Sequence, residues 1–290
     1  MKVVKPTSLA LVSSSATEVY STWSSATAYT LNAFAIFSGR IYQCIQGPST
    51  NNSPATSPLY WTDKGPSNVQ AMFDEKISTQ TSAPTSLTVV IDTGYINSFA
   101  LFGLVGLTAQ ITATNGPAGP VVYSATVNLD GTIISDWYQY FFEPFVQMGE
   151  LVLTDIPPYQ AMRLTVTITG ATASIGQLVS GTAYFLGDTE LGATAGILSF
   201  SKKNTSPAGI TTFSKGANSK RVGAHLMLDN VQLNKVQRVL ANLDGVPCVW
   251  IGSDNAIYTP LLVYGFFRDF SLDIAYATKS YCTLEIEGLT

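Results

Sequence analysis

Between Trp23 and Gly65 the chain concentrates Trp23, Tyr29, Phe34, Phe37, Tyr42, Tyr60 and Trp61 around a short Ser38-Gly39-Arg40 turn. It closes on Tyr60-Trp61-Thr62-Asp63-Lys64-Gly65. Such rings suit one kind of chemistry. A sugar ring offers an apolar face of C–H groups that stacks on Trp or Tyr, while its hydroxyls seek polar neighbours. Asn32, Gln43, Asn51 and Asp63 are available for those hydroxyls. A module this small must also build its core from the same aromatics. Trp23, Tyr42 and Tyr60 are expected at the surface. Tyr29 joins them in the candidate sugar-contacting set, and Trp61 is expected to divide between core and surface.

Other chemistry has less to work with. The single histidine, His225, stands in Gly223-Ala224-His225-Leu226-Met227. No Gly-x-Ser-x-Gly elbow accompanies it, so a Ser-His-Asp triad has no scaffold. Glycoside hydrolysis needs only two well-placed carboxylates, and Asp136, Glu143, Glu150 and Asp155 are nominal candidates. Nothing in their spacing selects a pair. Neither a phosphate-cradling glycine loop nor a dense metal-ligand cluster is present, and no cofactor is expected. Cys44, Cys248 and Cys282 are far apart among apolar neighbours, which suits buried small hydrophobes rather than a disulfide framework or zinc site. The expectation is a protein that is not an enzyme.

Charged residues make up 12% of the 290-residue chain and hydrophobic residues 46%, with a net charge of -4. That balance argues against wholesale nucleic-acid binding. The charge is unevenly distributed. From Ser78 to Ala195 the acids face only Arg163. From Phe200 to Leu240, Lys202, Lys203, Lys215, Lys220, Arg221, Lys235 and Arg238 face only Asp229. The asymmetry suggests self-association or docking on an acidic partner; two ordinary solvated faces are the plainer reading. Pro6 interrupts any export signal, and the run from Phe99 to Ala109 is too short to span a bilayer.

These side chains need elements to hold them. Residues 1–25 read as a polar arm, flexible or extended around Ser13-Ser14-Ser15. Residues 26–67 read as a small aromatic three-stranded module: Ala33–Phe37 and Arg40–Ile45 form a hairpin turned at Ser38-Gly39, and Tyr60–Thr62 adds a third strand. Residues 68–188 carry short strands with turn signals between them, from Ser86–Asp92 to Ser174–Phe185, which indicates a β-sandwich or jelly roll. In Arg163–Thr169 the apolar residues alternate strictly. Residues 189–290 read as an α+β assembly unit. Leu198–Ile210 and Thr211–Ser214 are strand and loop, and Asn230–Leu243 is a helix with Asp229 as N-cap and Gly245 past its end. Four strands follow: Pro247–Ile251, Leu261–Phe267, Phe270–Tyr276 and Tyr281–Ile286. The fold class is mainly β.

Several segments resemble known families. The order Trp23, Tyr29, Ala35-Ile36-Phe37, Gly39, Tyr42, Trp61 and Gly65 resembles the small chitin-binding type of carbohydrate-binding module, with Leu31-Asn32 in place of the usual Gly-Asp. The continuation Ser67-Asn68-Val69-Gln70-Ala71-Met72-Phe73-Asp74 is similar to segments of tailed-bacteriophage virion proteins. Ala71–Asp74, Thr79-Gln80-Thr81, Leu87–Ile91 and Ile175–Gly181 resemble galactose-binding-like jelly rolls. Val263–Phe270 and Tyr281–Leu289 are similar to the C-termini of phage tail-tip and baseplate proteins.

The resemblance implies a structural component of a phage tail tip or baseplate, similar to a distal tail protein. It would assemble in the host cytoplasm into a symmetric virion complex with other tail proteins and copies of itself. It would contact host-surface glycan, with neither nucleic-acid binding nor membrane insertion. Lys220, Arg221, Arg268, Glu285 and Glu287 are the expected assembly contacts. Alternation puts Tyr281, Thr283, Glu285 and Glu287 on one strand face, with Cys282, Leu284 and Ile286 on the other. A free carbohydrate-binding protein is the alternative, and a polysaccharide-degrading enzyme is a further one.

Overall fold

The computed structural model describes residues 1–207 and 209–290. It is mainly β, with 51% of residues in strands and 9% in helices. The first elements in chain order are β1 (Lys2–Pro6), β2 (Ala10–Ser14), β3 (Phe34–Phe37), β4 (Arg40–Cys44) and β5 (Trp61–Pro66). Next come β6 (Thr81–Asp92), β7 (Ser98–Phe102), β8 (Thr108–Asn115), β9 (Val121–Asn128), α1 (Trp137–Phe142), β10 (Glu150–Leu153), β11 (Met162–Ile175) and β12 (Gln177–Phe185). The remainder is β13 (Asp188–Thr189), β14 (Thr194–Ser199), β15 (Lys202–Thr205), β16 (Thr211–Ser214), β17 (Asn218–Asp229), α2 (Leu233–Ala241), β18 (Cys248–Ile251), β19 (Leu262–Asp273) and β20 (Lys279–Gly288).

A five-stranded antiparallel sheet in the order β2-β6-β11-β8-β9 packs on the β10-β7-β12 end of a ten-stranded sheet. This is the β-sandwich that the strand spacing indicates. In β11, Met162, Leu164, Val166 and Ile168 are buried in alternation and meet Phe99 and Leu101 of β7 across the core. Period-2 burial of this kind fixes the register, because a one-residue slip would turn every apolar side chain outward. Gly176 alone separates β11 in one sheet from β12 in the other. A Cβ there would lie 2.5 Å from the Ile77 carbonyl oxygen, so only glycine lets the chain cross between the layers.

The large sheet continues through β1 into β18-β19-β20-β17-β13. β1 pairs with β12 on one side and β18 on the other. Val3 and Val4 are both fully buried, one in each of two cores on opposite faces of the sheet. The Val3 side is covered by α2 through Val236 and Leu240, with Trp250 of β18 beneath.

The first 25 residues are therefore no peripheral arm. Lys2–Pro6 joins the large sheet, Ala10–Ser14 the smaller one, and Trp23 the aromatic module. Likewise, the 188/189 boundary does not separate two sheets, because β12, β1 and β18 are hydrogen-bonded in succession.

The expected helix forms, shortened to Leu233–Ala241 behind a 3-10 turn at Asn230–Gln232. Asp229 does not cap it. The side chain makes no cap hydrogen bond and instead pairs with Lys279 Nζ at 2.8 Å. The two strands expected over Leu261–Tyr276 are one, β19, with a bulge between Phe267 and Asp269 that leaves Arg268 unpaired in the ladder. The stretch read as strand and loop over 198–214 is β14 followed by the hairpin β15–β16; within it, Ala208 lies outside the described residues. Helix α1 was not expected.

Candidate functional site

The aromatic module is the sheet β3-β4-β5. Its hairpin turns at Ser38 (φ 49°) and Gly39 (φ 74°), the pair of positive φ values that a two-residue turn needs to match strand twist. Residues before 26 belong to it. Trp23 N–H donates to the Ile36 carbonyl at 2.7 Å, and Tyr20 stacks on Phe34 with centroids 4.8 Å apart.

Tyr29, Ala35, Cys44 and Trp61 form the module's core. Tyr29 and Trp61 meet edge to face at 5.1 Å. Both polar handles are satisfied inward: Ser24 N–H donates to Tyr29 Oη at 2.8 Å, and Trp61 Nε1 donates to the Asn52 carbonyl at 2.9 Å. Tyr29 is 7% exposed and Trp61 3%, which leaves neither a face for a sugar. Both are core residues rather than binding residues. The reason is volume, since a three-stranded sheet without helices has only its aromatics to bury.

Trp23, Tyr42 and Tyr60 are half-buried and pack around that core. Trp23 stands edge-on to Phe37 at 5.6 Å, and its Nε1 is buried without a hydrogen-bond partner. Beside Tyr42, whose cross-strand neighbour is Asp63, Arg40 Nε donates to Asp63 Oδ2 at 2.6 Å. Burial pushes the Asp63 carboxyl up, but the Arg40 hydrogen bond, the Gly65 N–H and the Arg40 charge outweigh it and hold it below its usual range. The module thus presents three partly open rings and a fixed ion pair. Asn32 and Gln43 hydrogen-bond each other at 3.1 Å. Strand alternation puts Gln43 on the face opposite Tyr42, away from the rings it was expected to serve.

A clamp mounts the module on the sandwich. Asn68 Nδ2 donates to the carbonyls of Thr17 and Ser82, each at 2.9 Å. The Glu18 carboxylate accepts from the N–H groups of Asn68 and Val69 at 3.0 and 3.1 Å. Just beyond, Met72 is fully buried in the sandwich core and its N–H donates to Thr81 Oγ1 at 3.0 Å. This accounts physically for the Asn68–Asp74 motif.

The expected assembly residues are all engaged within the chain. Lys220 pairs with Glu150 at 2.6 Å, Arg221 with Glu285 at 2.9 Å and Arg268 with Glu287 at 3.6 Å. β20 alternates as expected, with Cys282, Leu284 and Ile286 buried. β20 is an interior strand of the sheet. It lies between β19 and β17, and those strands bring it its basic neighbours.

Three of the four nominal catalytic carboxylates serve separate structural roles. Asp136 caps α1 by accepting from Gln139 N–H at 2.7 Å. Asp155 accepts from Tyr123 Oη at 2.9 Å, and burial together with that bond pushes the phenol up to about 12. Burial raises Glu150 above its usual range against the pull of Lys220. His225 is exposed, with Nδ1 3.4 Å from Thr283 Oγ1. All three cysteines are free and buried, and burial pushes the Cys248 thiol up to about 12. Among the described residues no cluster of three or more His, Cys, Asp or Glu could hold a metal. No helix among them is long and apolar enough to cross a membrane.

Two exposed segments carry apolar side chains that sequence reading did not single out. One is α1 with its flanks, where Trp137 is 79% and Phe141 69% exposed. Its signal was present in Ser135-Asp136-Trp137-Tyr138-Gln139, a capping-box spacing. Gln139 Oε1 indeed accepts from the Ser135 N–H and hydroxyl at 2.7 and 2.6 Å. The other is β14 with the hairpin β15–β16, in which every strand residue is exposed. Compared with protein-family models and with curated proteins, the chain matches none.

Proposed function

We propose that this chain is a structural component of a phage tail tip or baseplate, which assembles into a symmetric complex and offers its aromatic module to host-surface glycan. The observation that carries the assembly part is uncovered apolar surface on two projections: Ile133, Trp137 and Phe141 on one, Ile197 and Phe213 on the other, each more than two-thirds exposed. On α1 the rings touch one another, Trp137 with Tyr140 at 6.1 Å and Tyr140 with Phe141 at 5.1 Å, and a contiguous exposed apolar patch of this kind marks a contact surface. The motif likeness over Trp23–Gly65 and Asn68–Asp74 supplies the kind of assembly. The glycan part is supported by Trp23, Tyr42 and Tyr60 around the Arg40–Asp63 pair. Weak binding at each module gains avidity from copy number.

Sedimentation of the purified full chain over rising concentration tests the assembly role. Species heavier than the 31.0 kDa chain are expected. A single-chain mass at every concentration, with glycan binding retained, favours a free carbohydrate-binding protein, the reading that the three half-open rings support by themselves.

A further inference from the structure

The two projections carry opposite charge. Residues 129–147, between β9 and β10, contain Asp130, Asp136 and Glu143 and no base. Residues 194–218 contain Lys202, Lys203 and Lys215 and no acid. Among the described residues none of these charges has an ion-pair partner in the chain, whereas Lys220, Arg221 and Arg268 all do. Each projection also exposes rings: Trp137, Tyr138 and Phe141 on the acidic one, Phe200 and Phe213 on the basic one.

The projections spring from neighbouring ground. Glu150, which opens β10, pairs with Lys220 of β17 at 2.6 Å. Yet they do not cover one another within the chain, because Trp137 stays 79% and Phe213 71% exposed. Each therefore keeps a surface free for the complementary surface of another molecule.

We infer that the acidic aromatic loop around α1 of one copy docks on the basic hairpin β15–β16 of the next. This rests on the assembly reading above and names the surfaces that make it. Opposite potentials steer the encounter and fix its register. Buried aromatics supply about 150–250 Å² each, so Trp137, Tyr138, Phe141 and Phe142 approach the roughly 800 Å² per partner of a stable interface. Made reciprocally by two copies the contact closes a two-fold dimer, and made one way it closes a ring or extends a filament.

Charge reversal tests this. One variant carries Asp130→Lys and Glu143→Lys and keeps Asp136 as the helix cap. The other carries Lys202→Glu and Lys203→Glu. Each alone is expected to sediment as a single chain, with its circular dichroism unchanged. An equimolar mixture is expected to regain species heavier than a single chain, with the two variants alternating, because reversed loop then meets reversed hairpin and native loop meets native hairpin. Separately, oxidation of mixed Phe141→Cys and Phe213→Cys chains is expected to give a covalent heterodimer, whatever the reversal variants do. Wild-type assembly with no rescue in the mixture and no heterodimer overturns the loop–hairpin contact and leaves the assembly reading standing. A wild-type chain that never exceeds single-chain mass overturns both.

Discussion

Asn68 and Ser82 grip each other reciprocally. Asn68 Nδ2 donates to the Ser82 carbonyl at 2.9 Å, and the Ser82 N–H donates back to Asn68 Oδ1 at 2.9 Å. One side chain thereby joins the end of β5 to the start of β6, and its second donor hydrogen holds Thr17. An amide is the group that does both, since it accepts and donates from one planar head.

Asn68→Ala removes all three bonds and is expected to cost about 2 kcal/mol, at roughly 0.5–1.5 kcal/mol per net hydrogen bond. Asn68→Asp keeps the acceptor, loses both donors and sets a charge beside Glu18, so it should do no better. Hydrogen exchange is the direct readout. Amides of residues 17–23 and 62–70 should exchange faster while those of β11 hold. Unchanged exchange across the clamp would remove its role.

The division of the aromatic set is open to a pair of variants. Trp61→Ala empties the module core and is expected to cost about 3–5 kcal/mol, enough to unfold so small a sheet. Trp23→Ala with Tyr60→Ala should cost less than Trp61→Ala and leave the module folded, losing about 1 kcal/mol for the Trp23 edge contact with Phe37 besides the partial burial of both rings; circular dichroism checks the fold. On a glycan array the double variant should lose binding. Retained binding would place the ligand elsewhere.

Two carboxylates should give stability opposite slopes with pH. The Arg163 hydrogen bond, over a weaker burial effect, holds Asp92 below its usual range. Its contribution is present above the unfolded-state pKa and is lost as pH falls through the folded-state value. Asp92→Asn should therefore flatten the acid-side fall. Glu150 is raised by burial, so the folded chain holds its proton more tightly than the unfolded chain. Just above the usual carboxylate range its titration lowers stability as pH rises, and Glu150→Gln should remove that slope. Urea midpoints across pH for both variants measure this; parallel curves would contradict it.

The sandwich was legible because its strands obey local rules. Arg163–Thr169 alternates, and β11 buries that same alternation. Apolar periodicity likewise marked α2, while its cap was misread: Asp229 had a long-range partner in Lys279 that no local pattern reveals. The place of Lys2–Pro6 was hidden for the same reason. Val3-Val4 is too short a run to declare itself a central strand, and both its neighbours lie more than 170 residues away. In the module, the sequence identified the rings but not their sides. Trp61 fills the core that so small a sheet has little else to build from, and the Asn52 carbonyl, nine residues away, satisfies its indole there.

The position of β1 between β12 and β18 also orders events in time. β1, made before either of its neighbours, is hydrogen-bonded to residues 181–185 and 249–251. Its second neighbour does not exist until residue 251 has been made. The sandwich cannot finish its own sheet and wait, so long-range pairing makes completion late and slow. Newly made chains must hold two open sheet edges apart until then, which makes the nascent form the one most exposed to mispairing with its neighbours on a polysome.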